Sequence, residues 1–282
     1  MASPRTFRSA AVGALLLAAL GGCRETPDDS VNEAGIANNI VEQLPTPEPL
    51  LDRRGLLLAL GDAATAFAIG ADDTDAQQAL AGKRFAFRMA FGCPNGDEEK
   101  GPLKLMARPD GKSYEARARF TISSAEAADF LPDVDNPDET ELPASNVIET
   151  VEGFWVERPW MLAESCPVTP PAAVPTEVDA APPPPHHVAG IAQFLTPTDS
   201  RVAIRGGRDY VKVVPLKEGE TVPPGLLLLV EGRLRAWPDG KTIECRANVN
   251  GGRPVCLIGV RIDRVAFERI DDRSVVAEWT NS

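Results

Sequence analysis

Ile243-Glu244-Cys245-Arg246-Ala247-Asn248-Val249-Asn250-Gly251-Gly252-Arg253-Pro254-Val255-Cys256 sets two cysteines on either side of a strong turn signal. If Cys245 lies opposite Cys256, Ala247 lies opposite Pro254. A four-residue loop, Val249 to Gly252, puts both pairs at non-hydrogen-bonded positions. A two-residue loop, Asn250-Gly251, keeps the pairing but puts Pro254 where an N–H must be donated, which proline cannot do. The longer loop is therefore preferred. At a non-hydrogen-bonded position the Cα atoms stand about 4.5 Å apart, within reach of a disulfide. The stretch thus predicts antiparallel strands stapled across their turn.

Similar strand patterns recur in both directions. Upstream they cover Arg84–Phe91, Leu103–Met106, Lys112–Ile122 and Val147–Leu162, then Val188–Leu195, Arg201–Ile204, Tyr210–Pro215 and Leu226–Trp237. Beyond Lys241–Val249 come Val255–Phe267 and Val275–Trp279. Helical signals are confined to the N-terminal side. Arg54–Ile69 has a helical apolar period, with Gly61 in its middle, and Asp72-Asp73-Thr74 caps a short helix reaching Leu80. A third short helix is predicted over Ser123–Phe130. The fold class is α+β and mostly β: short N-terminal helices, then two disulfide-stapled antiparallel regions.

The extreme N-terminus is an address. Arg5 and Arg8 precede an uncharged apolar run, Ala10 to Leu20, that is too short to span a bilayer. Leu20-Gly21-Gly22-Cys23 resembles the lipobox of bacterial lipoproteins. That resemblance implies cleavage of residues 1–22, acylation of Cys23, and anchoring in the cell envelope facing the periplasm. Arg24, rather than Asp, follows the cysteine, which points to the outer membrane. Loss of Arg5 and Arg8 takes 29 basic residues to 27 against 41 acidic ones, a charge of −14. Such a chain repels phosphates, so no nucleic-acid partner is expected.

With Cys23 acylated, four cysteines remain in an oxidising compartment, and two disulfides are expected. Of the three possible pairings, Cys93–Cys166 with Cys245–Cys256 gives one staple to each half. Residues 24–49 are polar, acidic and proline-punctuated, a tether of about 25–30 Å r.m.s. span. Eight prolines fall within Pro167–Pro185, so residues 167–187 read as a linker between a first domain, 50–166, and a second β domain, 188–282. The first side is strongly anionic and the second nearly neutral, which supports the division. Pro109–Ala118 and Pro238–Ala247 share seven of ten residues around Pro-Asp-Gly, and both read as hairpins.

Chemical signals are sparse. His186 and His187 follow four prolines with no ligand partner at metal spacing, and read as an exposed linker pair. The acidic loop Asp133–Glu141 has oxygen ligands at alternating spacing, but Pro137 takes a calcium-ligand position and the turn glycine is missing; the loop reads as solvated, with calcium as the alternative. Gly153–Trp160 is the densest aromatic stretch. Its large side chains suit a core, and if exposed, Trp155, Arg158 and Trp160 would make a binding patch. Asp239-Gly240-Lys241-Thr242 with Leu257–Arg261 resembles the thermonuclease family, which implies a small OB-like barrel. Lys241 and Arg261 replace that family's metal carboxylates and Cys256 its phosphate-binding arginine, so no chemistry carries across. No nucleophile elbow, zinc motif or phosphate loop occurs. The expectation is a non-catalytic, cofactor-free binding or assembly protein with an envelope protein or glycan partner. The alternative is a carboxylate-dependent hydrolase of cell-wall or surface polysaccharide.

Overall fold

A computed structural model describes residues 49–94, 101–131, 148–168, 188–199, 205–206, 208–248 and 251–280. The leader, Cys23, the tether, the acidic loop, His186, His187, nearly all of the proline-rich stretch and the Arg201–Ile204 strand candidate lie outside these residues. The described chain begins with helix α1 (Arg53–Ile69) and a single turn α2 (Thr74–Gln78). Strands follow: β1 (Arg84–Phe91), β2 (Leu103–Ala107), β3 (Ser113–Ala118), β4 (Ile122–Ser123), β5 (Thr150–Trp155) and β6 (Ala189–Leu195). The last five are β7 (Tyr210–Pro215), β8 (Leu226–Leu234), β9 (Ile243–Arg246), β10 (Val255–Arg269) and β11 (Val275–Thr280). Both expected disulfides are present, Cys93–Cys166 and Cys245–Cys256. None of the described helices is long and apolar enough to cross a membrane.

The spine is β10, a 15-residue strand with a different partner on each side of each half. Its first half lies between β9, antiparallel, and β6, parallel; its second half lies between β8 and β11, both antiparallel. Val260 pairs with both Leu234 and Gln193, so β8 and β9 run along one side and β6 and β11 along the other. Side chains alternate across it as the pleat requires. Cys256, Ile258 and Val260 face the main core, while Val255 and Leu257 face a second, smaller one. A bulge between Ile262 and Arg264 lets β8 keep its register, and there Gly232 is obligatory: a Cβ would sit 2.0 Å from the Arg261 carbonyl oxygen.

The first sheet runs β1-β8-β10-β6-β5-β4, and the second β2-β3-β7. The second sheet closes the main core through Tyr114 and Tyr210, the latter edge-on to both Phe120 and Trp279. Helix α1 starts at Asp52, whose carboxylate accepts from the Gly55 N–H, and stops at Gly70 in the left-handed conformation. Its buried stripe, Leu56, Leu57, Leu60 and Ala63, covers β1, β9 and β10.

Five expectations change. Residues 50–166 and 188–282 do not fold apart, because β1 pairs with β8, β3 with β7 and β5 with β6; strands from both sides of the proline-rich stretch build both sheets within one unit. The first sheet is open, ending at β1 and β4, rather than a small barrel. Only the first Pro-Asp-Gly turn makes a hairpin, with Met106 opposite Glu115; at the second, β8 and β9 do not pair with each other but follow one another along β10. The strand expected to reach Leu162 ends at Trp155, and the Ser123–Phe130 helix shrinks to a 3-10 turn at Ala128–Phe130.

Candidate functional site

The chain after β5 leaves the sheet at Val156 and turns sharply at Arg158, which has a positive φ of 52°. One buried side chain holds this turn. The Arg53 guanidinium, in the first residue of α1, donates to the carbonyl oxygens of Met161 (2.9 Å), Glu157 (3.0 Å), Arg158 (3.0 Å) and Arg88 (3.2 Å). It also lies 5.0 Å above the Phe87 ring. Burial lowers its pKa to about 10, so it stays charged at neutral pH. The clamp delivers Trp160 to the surface beside α1, with 55 % of the residue exposed.

Between that loop, α1, the start of β6 and the β9–β10 turn lies a groove of about 610 Å³. Leu57, Leu60 and Ala64 of α1, Pro159 and Trp160 of the loop, and Val188 and Ala189 as β6 begins all line it. Gly251, Gly252 and Arg253 also contribute to the lining. The volume falls in the range of small-molecule sites, and most of the lining is apolar. Of the three residues expected to form a patch, only Trp160 lines this groove. Trp155 is 6 % exposed and packs in the second core with Phe130, Phe194 and Trp237. Arg158 contributes its backbone to the Arg53 clamp. Trp155 ends a strand that obeys the pleat, whereas Trp160 follows the break, and the Arg158-Pro159 pair is the sequence signal for that difference.

A second recess, about 260 Å³, is lined by Asp129, Phe130, Trp237, Asp239 and Glu244. Burial, then the hydrogen bond and charge of the neighbouring Asp239 carboxyl, push Glu244 up to about 8, with Lys241 opposing and Asp73 adding to the rise. The equivalent residue of the similar Pro-Asp-Gly stretch, Glu115, has a different setting: it pairs with Arg117 at 2.7 Å and Arg108 at 3.5 Å. Arg246, at the position matching Arg117, turns instead to Asp129 and the Phe130 ring. Sequence reading missed both Arg53 and this carboxyl pair. The five-residue spacing of Asp239 and Glu244 was visible, but a turn that brings them together looks identical to one that does not.

Glu244 therefore carries a proton in the folded protein at pH 7, while the unfolded chain loses it near 4.5. Stability falls as pH rises from about 4.5 to 8, because the unfolded state sheds a proton that the fold retains. Glu244→Gln cannot ionise and removes this fall. In urea unfolding the variant should match the parent at pH 5 and exceed it at pH 9 by roughly 2 kcal/mol, after discounting for partial solvent screening. Equal stabilities at pH 9 would contradict the buried pair.

In glycoside hydrolysis the two acids flank the bond, about 5 to 9.5 Å apart. The Asp239 carboxyl acts on Glu244 as a hydrogen-bonding and like-charged neighbour that raises its pKa, a relation that suits a shared proton rather than two acids flanking a bond. Among the described residues no group of three or more His, Cys, Asp or Glu gathers as a metal site. Comparison of the chain with protein-family models, curated proteins and solved structures finds no match.

Proposed function

We propose that this is a lipid-anchored protein of the bacterial cell envelope, non-catalytic, whose folded body binds an envelope component in the groove beside α1. Residues 1–22 direct export, Cys23 carries the lipid on the periplasmic side of the outer membrane, and residues 24–49 hold the body clear of the headgroups. The observation that carries the binding role is the apolar groove with Trp160 held exposed at its rim by the Arg53 clamp. A half-exposed tryptophan on the lining of a mostly apolar groove offers a partner a large amphipathic contact. Two disulfides support an oxidising compartment, since such bonds do not persist in a reducing one. The hydrolase reading is less supported, because the carboxyl pair in the second recess is in mutual contact.

Anchoring is tested by fractionation. Cys23→Ser, expressed from the full chain, should move the protein from the membrane pellet to the soluble envelope fraction, since the acyl chains supply the membrane affinity. Tight retention of the variant in the pellet would overturn the lipid anchor.

A further inference from the structure

The groove's chemistry narrows what it takes, provided the groove is the binding site as proposed above. A sugar presents hydroxyls on every edge and needs several polar side chains to replace its water. Here the side chains offer only the Trp160 indole N–H and the Arg253 guanidinium. Most of the remaining lining is hydrocarbon, so a glycan would lose water from many hydroxyls and regain few side-chain partners. Arg253 is the sole charged residue on the lining, it is exposed, and it makes no ion pair with any described residue. A cation with no partner among the described residues, on the lining of a mostly apolar groove, is complementary to one anionic group attached to an apolar tail.

Gly61 supplies an independent observation. It sits in the middle of α1 on the groove wall, and a Cβ built there meets nothing within 4 Å. The helix does not need glycine for its own geometry, and a mid-helix glycine costs about 1 kcal/mol against alanine. The residue instead keeps the trough open along the helix at the level of Leu57 and Ala64.

We infer that the groove binds a single-tailed anionic amphiphile, with the tail between α1 and Trp160 and the anionic head at Arg253. The probe is laurate, below its micelle concentration, titrated by calorimetry into the full chain carrying Cys23→Ser so that neither lipid nor detergent competes. Dodecanol, with the same tail and no charge, is the comparison.

Laurate is expected to bind at one equivalent and dodecanol about tenfold more weakly, the worth of one charge-assisted hydrogen bond. Arg253→Glu should abolish that difference. Gly61→Leu, which adds a good helix former in open space and should melt no lower than the parent, is expected to weaken both ligands by at least about tenfold. Absence of laurate binding, equal affinity for laurate and dodecanol, or undiminished binding by a folded Gly61→Leu variant would each overturn the inference. Failure of the ligand class is separable from failure of the site. If laurate does not bind but a lipid-free extract of envelope protein and glycan slows amide exchange in α1 and at Gly251–Arg253, the groove is a site for another occupant and the amphiphile is wrong. If neither slows exchange, the groove binds nothing, and the binding role falls with it.

Discussion

Arg53→Ala is expected to lower the stability of the folded body by about 4 kcal/mol and to free the segment that carries Trp160. Arg53 is placed against two unfavourable terms. It is buried, with 3 % exposure, and it stands at the positive end of a helix dipole with no acidic residue in the first turn of α1. Four carbonyl oxygens compensate. Removing the guanidinium takes the side-chain donor from all four carbonyls in a half-buried setting; of these, the Arg158 carbonyl oxygen still accepts from the Met161 N–H. Lysine should not rescue, because an ammonium cannot present the planar fork that reaches Arg88 on one side and Glu157 to Met161 on the other. Urea unfolding gives the global effect. Hydrogen exchange over residues 157–161 gives the local one, and it should rise in the variant even where the rest of the body remains protected. A variant with unchanged unfolding midpoint would show that the clamp is dispensable.

Replacing Cys93 and Cys166 together with alanine should cost about 4 kcal/mol, against about 3 kcal/mol for the Cys245–Cys256 pair. The difference follows from the loops closed: the first bridge spans a sequence separation of 73, the second one of 11. The first bridge also has a local consequence. Cys93 follows the last residues of β1, and Cys166 ends the segment whose other end Arg53 holds. With both ties gone the Trp160 wall is held by its packing and by the ion pairs of Glu164 with Arg88 and Arg273. Since the two ties hold one segment, the loss from Arg53→Ala in the disulfide-free background should be smaller than in the parent, and a double-mutant cycle measures the shortfall. Strict additivity would mean that the clamp and the bridge act on separate structures.

Much of the fold was legible because it is local. The Cys245–Cys256 pairing followed from a turn and from one proline that cannot donate, and the register has Cys245 opposite Cys256 with 4.1 Å between Cα atoms. The limits of α1 and β1 followed from periodicity, Arg54–Ile69 against the observed Arg53–Ile69, and Arg84–Phe91 as found. What was not legible is non-local. Nothing in Phe85, Phe87 or Met89 says that their strand adds to Leu226–Leu234, about 140 residues later. A proline-rich stretch marks a domain boundary only when the strands on either side stay apart, and sheet edges such as β1 recruit partners regardless of what lies between. The groove was half visible: the aromatic patch was noticed, but whether Trp155 or Trp160 is exposed depends on where a strand breaks. The Arg53 clamp had no readable signal, since an arginine opening a helix normally points to water.

The most direct test of an envelope-anchored body that binds through its groove is photocrosslinking in intact cells, with the photoreactive residue at position 160 in the otherwise unaltered chain. Position 275 at the start of β11, also exposed but remote in sequence from every groove element, is the control. The account predicts adducts from position 160 in the membrane fraction, few from position 275, and their loss when Gly61→Leu fills the groove. Equal labelling from both positions, or adducts that persist with Gly61→Leu, would contradict it.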